Sequence, residues 1–189
     1  MKNLKALLLV MMALALFTSH LAFADVGTES DKLTLKTSVQ YNNLARMNPC
    51  YQGEDATPPR TTCVFSHDFT VRYFRENNEK DLADREAYRV VFVDGAARRA
   101  QSPEQILTEK GKMNYVLDAN GNFYIFNEKA IKEIRHSSFF AGGKVASAGD
   151  LKIQKGIIQS IDSDSGHYEM NDEIFKNVLD FLKKQGVNL

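Results

Sequence analysis

Apolar and polar residues alternate along Leu151-Lys152-Ile153-Gln154, placing Leu151 and Ile153 on one side of the chain and the two polar residues on the other. A period of two predicts a strand. Lys155-Gly156 then suits a tight turn and Ile157-Ile158 resumes the apolar pattern, so Ala148–Asp162 reads as a hairpin. The stretch Met113–Asn127 repeats the logic with aromatic-rich runs on either side of Asp118-Ala119-Asn120-Gly121, residues that tolerate positive φ. Asp68–Phe74 and Tyr88–Gly95 are rich in β-branched and aromatic residues and predict strands. At the C-terminus the period changes. Ile174, Val178, Phe181 and Leu182 recur at helical spacing, with Asn171 or Asp172 to cap the start and Gly186 to end it. A second, shorter helix is predicted over Ser102–Gly111, from a Ser102 cap, Pro103 in the first turn and Gln105 completing a capping box. The charged stretch Arg75–Glu86 fits a loop or a short exposed helix, and residues 25 to about 48 a strand and a short helix. Together these elements predict an α+β fold: an antiparallel sheet of hairpins, a C-terminal amphipathic helix and one disulfide-closed loop.

The first residues change the picture of where this domain works. Lys2 and Lys5 precede the apolar Ala6–Phe17, and Ala22-Phe23-Ala24 has the small-x-small pattern of a signal-peptidase site. A leader cleaved after Ala24 is expected, leaving 165 residues that begin at Asp25 in a secreted or periplasmic protein. That length suits a single domain over 25–189. The whole chain balances 24 basic against 24 acidic residues. Losing Lys2 and Lys5 leaves the remainder slightly acidic, which argues against nucleic acid or an anionic membrane as partner. Cys50 and Cys63 are the only cysteines and flank a loop containing Gly53, Pro58 and Pro59. In an oxidising compartment they are expected to pair, stabilising the fold by roughly 3 kcal/mol.

Candidate chemistry gathers in two runs, Arg135–Asp150 and Ser165–Tyr168. His136, Ser137 and Ser138 sit at a predicted strand start, ahead of a run from Ala141 to Gly149 that is nearly bare of bulk. Such a backbone approaches another backbone or a ligand closely. If the later hairpin brings His167 and Tyr168 alongside, two histidines, several hydroxyls and a phenol converge; alternatively Phe139 and Phe140 are core and the polar groups satisfy buried backbone. G-x-G-x-x-G, Walker and G-x-S-x-G motifs are absent, and two histidines are too few for zinc, so no metal is expected.

The ordered combination of the "HSSFFAGGKVASAG" run, a Lys-Gly hairpin, "SGHY" and a terminal helix, over about residues 114–187, resembles a module shared by plant IQ-motif calmodulin-binding proteins and bacterial secreted and effector proteins. Some of the latter are similar to ADP-ribosyltransferases. That resemblance implies an NAD cofactor and a protein substrate. His136, His167, Tyr168 and Glu169 would be catalytic, with Asp150 as the alternative carboxylate, and Ser137, Ser138, Gly142 and Gly143 would line the cofactor pocket. A non-catalytic binding module is the second reading. With no IQ motif in the chain, calmodulin is not expected as a partner.

Overall fold

A computed structural model describes residues 39–58, 60 and 71–189. The expected leader, its cleavage site, His67 and Cys63 lie outside the described residues. Six antiparallel strands form one sheet: β1 (Arg89–Val93), β2 (Ala96–Arg99), β3 (Lys110–Leu117), β4 (Phe123–Phe126), β5 (Ser147–Gln154) and β6 (Ile157–Ile161), in the spatial order β2-β1-β4-β3-β5-β6. Both predicted hairpins form. β3 turns into β4 because Asp118 accepts from the amides of Asn120 and Asn122 and from the Asn122 side chain. β5 turns into β6 at Lys155 and Gly156, both with positive φ.

The central strands are buried on both faces, so the sheet has two cores. On one face Tyr115, Phe123 and Phe181 stack in sequence, with centroids 5.4 and 5.5 Å apart. Phe181 comes from helix α2 (Asp172–Lys184), and its Ile174, Val178, Phe181 and Leu182 are buried as the spacing predicts. Asn171 caps that helix, accepting from the Ile174 amide at 2.9 Å. On the other face Val116, Tyr124, Phe126 and Ala148 pack under Phe139 and Ile134. The outer edge of β2 curls toward the β5–β6 turn: the Ala97 amide donates to the Gly156 carbonyl at 2.8 Å, and the Leu107 amide to the Ala97 carbonyl at 3.0 Å. A side chain at position 156 would lie 2.7 Å from the Ile106 methyl and 2.8 Å from the Ala97 oxygen, so only glycine lets the edges meet.

Three expectations need correction. Ser102–Gly111 is not a helix: one turn forms, Gln105 N–H to Ser102 O, and Ile106 then bridges to Arg98. The Arg98 guanidinium takes the Pro103 and Glu104 carbonyls while Leu107 enters the core, so tertiary contacts consume the groups a second turn needs. Val71–Phe74 belongs to no strand, although Tyr73 and Phe74 are buried; the Phe74 amide bonds Ser138 O instead of a ladder. The charged Arg75–Glu86 run, read as a loop or a short exposed helix, takes the second form as helix α1 (Glu79–Glu86), capped by Asn78. His136–Phe140 forms a 3-10 turn, not the start of a strand. The expected Cys50–Cys63 pairing lies outside the described residues, because Cys63 does; Cys50 is not a free cysteine.

Candidate functional site

The 3-10 turn His136–Phe140 is held from within and from both sides. The Ser138 hydroxyl accepts from the Arg135 amide at 2.8 Å while the Ser138 amide donates to Arg135 O at 3.0 Å, a reciprocal cap. Ala141 and Gly142 then take positive φ, and the Gly142 amide closes the turn onto Ser137 O. His136 is buried edge-on against Phe126, with Nε2 3.0 Å from the Gly149 carbonyl. A carbonyl only accepts, so Nε2 carries the proton. Burial pulls the imidazole down to about 4, a shift the Gly149 bond only partly offsets. His136 is therefore neutral at pH 7.

Tyr168 is buried too, and its hydroxyl donates to the Gly143 carbonyl at 2.8 Å. The module's two halves are thus joined, phenol to glycine backbone. His167 turns elsewhere. Its ring lies 4.4 Å from that of Tyr51, and Nε2 is 3.7 Å from the Glu54 carboxylate, which also accepts from the Ser137 hydroxyl at 3.4 Å. Glu54 was not foreseen: one acid in a Gly/Pro loop offers no sequence signal. Burial first, then its interaction with Glu54, pushes the Tyr73 phenol above its usual range. His136, Ser137, His167 and Tyr168 do converge, but around closed contacts. Glu169 is exposed apart from them, its amide bonded to Arg46 O. Gly142 and Gly143 face Met47 and Phe140, where an added Cβ would meet sulfur at 2.7 Å and carbonyl oxygen at 2.9 Å.

Open space lies one step along the same sheet face. Asn114 pairs directly with Asp150 across β3 and β5, just beyond the Val116–Ala148 pair that the 3-10 turn covers. A cleft of about 170 Å³ opens there, lined by Lys112, Asn114, Glu128, Lys129 and Asp150. The Asp150 carboxylate accepts from Asn114 Nδ2 at 2.7 Å and pairs with Lys112 Nζ at 2.5 Å. Glu128 reaches the same Asn114 amide at 3.4 Å and pairs with Arg135 at 3.4 Å, while its own amide donates to Asn114 Oδ1. Burial raises the Asp150 carboxyl above its usual range against the pull of Lys112, and that pairing raises Lys112. No group of acids, histidines and cysteines able to hold a metal occurs among the described residues.

A family model described as the IQ motif-containing protein middle domain matches residues 84–175. That span runs from the end of α1 to the first turn of α2 and includes the 3-10 turn, the Ser165–Tyr168 segment and every residue of the cleft. Over that stretch the chain is similar to the IQ-motif middle domain. Three relatives from Arabidopsis thaliana agree. IQ domain-containing protein IQM1 is 36% identical over 108 residues, covering 56% of this chain and 22% of its own length. IQM4 is 35% identical over 107 residues, with 56% and 20% covered, and IQM2 is 32% identical over 111, with 56% and 18%. The chain thus spans about a fifth of the length of these relatives. No solved structure matches it.

These matches correct the functional expectation. The similar proteins are IQ domain-containing proteins, not exported bacterial ADP-ribosyltransferases, so the transferase reading falls, and with it the effector setting and the NAD pocket that rested on it alone. The exclusion of calmodulin falls as well. It rested on the lack of an IQ motif in this chain, yet the proteins it resembles are defined by that motif.

Proposed function

We propose that this chain carries a ligand-binding domain built on the IQ-motif middle-domain scaffold, with the Asp150 cleft as its binding site. The observation that carries the reading is Asp150 itself. Its side chain is 8% exposed yet borders open volume, and its ammonium partner Lys112 has a side chain 52% exposed. A nearly buried charge is costly unless paired, and a partner free to swing into solvent leaves it ready to pair with something else. A carboxyl with a raised pKa in a cleft is also a functional-site signature. The 3-10 turn, in this reading, is the architecture that closes the sheet face up to the edge of the cleft.

The test is an amide-resolved NMR titration with a library of small charged and neutral fragments. Binding compounds should shift the amides of Lys112, Asn114, Lys129 and Asp150 together, and Asp150→Asn should abolish those shifts in a folded protein. Shifts confined to other parts of the chain, or none with any fragment, would overturn the proposal.

A further inference from the structure

The cleft's charge pattern restricts what it can hold, and this inference rests on the reading just given. Two carboxylates, Asp150 and Glu128, converge on the single Asn114 amide nitrogen at 2.7 and 3.4 Å. Two lysines border the same space: Lys112, bound to Asp150, and Lys129, exposed at the rim without an ion pair among the described residues. A plain anion entering the cleft would meet Asp150, which is fixed by the β3–β5 register and cannot withdraw. A plain cation would have to displace Lys112 while facing Lys129. A molecule with both charges a carbon apart also displaces Lys112 from Asp150, but its carboxylate gives the released Lys112 and the nearby Lys129 a new partner. Its ammonium would lie between Asp150 and Glu128, and its carboxylate would turn to Lys129.

Size narrows the class further. At about 170 Å³ the cleft falls below the range of roughly 300–1,000 Å³ usual for drug-sized ligands. We propose that the cleft binds a small zwitterion, an α-amino acid, by its ammonium and carboxylate groups, with Asp150 and Glu128 as cation acceptors and Lys129 as the anion donor. Recognition of the shared backbone groups leaves the amino-acid side chain pointing out of the open face, so small side chains should be interchangeable.

Calorimetry and amide NMR with glycine, L-alanine, acetate and methylammonium as separate probes test this on the full chain. Glycine and alanine should bind with dissociation constants in the millimolar range and shift the cleft amides, whereas acetate and methylammonium should not. Lys129→Met, at an exposed position that leaves the fold intact, should weaken alanine by about tenfold, and Asp150→Asn should remove binding. If acetate or methylammonium binds the cleft as well as alanine does, the zwitterion inference fails while the binding-site proposal stands. If Lys129→Met leaves alanine affinity unchanged, the inference fails too. If no probe and no fragment shifts the cleft amides, both fall.

Discussion

His136 holds its proton on Nε2 for the Gly149 carbonyl, and its burial has a consequence for acid stability. Its folded pKa, about 4, lies below the ordinary 6.5, so between those values the unfolded chain binds more protons. The stability this histidine protects is therefore fully present above about pH 6.5 and is lost as pH falls toward 4. Urea unfolding across that window should show wild type losing roughly 3 kcal/mol more than His136→Gln, whose amide does not titrate. Parallel pH profiles for the two proteins would contradict the burial. Ser138 makes a second residue-scale case. Its hydroxyl caps the turn from inside the core, and Ser138→Ala should cost about 1–2 kcal/mol in the same assay. The sequence marked His136, Ser138 and Tyr168 as polar groups that must find partners, but the partners are backbone carbonyls and an amide, which no side-chain pattern encodes. Glu54 shows the converse, since its burial depends on where a loop lands.

At the scale of elements, β5 and α2 test how tightly the two cores are built. Gly149 lies where the chain leaving β6 crosses back over β5: a side chain there would be 2.2 Å from the Asp162 carbonyl oxygen, and a backbone atom cannot rotate aside. Tyr115 fixes the same crossing by donating to Asp162 O at 3.0 Å. Gly149→Ala should therefore cost about 3 kcal/mol or more, seen as a lower midpoint in thermal unfolding. Phe181→Ala should cost on the order of 3–5 kcal/mol by emptying the stack on Phe123. An unchanged melting curve for either would place that element outside the core. Elements with strong periodicity or turn chemistry were legible: α2, the β3–β4 hairpin and the β5–β6 hairpin. Ser102–Gly111 was not, because good capping residues are overridden once Arg98 and Ala97 claim its backbone. β2 was missed because Ala96-Ala97-Arg98-Arg99 has weak strand propensity and pairs only because the Asp94-Gly95 turn delivers it to β1.

For the whole molecule, one sheet face carries both structure and opening. It is apolar under the 3-10 turn and becomes polar at Asn114 and Asp150, where the covering segment moves away. The small-residue run from Ala141 to Gly149 stood out in the sequence, yet its bareness serves close backbone packing. The cleft one register step beyond was hidden: Asp150 stood out only as an alternative catalytic carboxylate, and Lys112, Asn114 and Glu128 look like ordinary surface residues until β3 and β5 pair. The central claim is that His136–Gly149 belongs to the same cooperative unit as the sheet, leaving the Asp150 cleft as the place for ligand. Native-state amide hydrogen exchange measures this directly. The amides of Ser138, Gly142 and Ala146, bonded to Arg135, Ser137 and Leu117, should exchange with the same opening free energy as Tyr115 and Leu151 at the centre of β3 and β5. Exchange of the turn through a separate, cheaper opening while the sheet stays protected would contradict it.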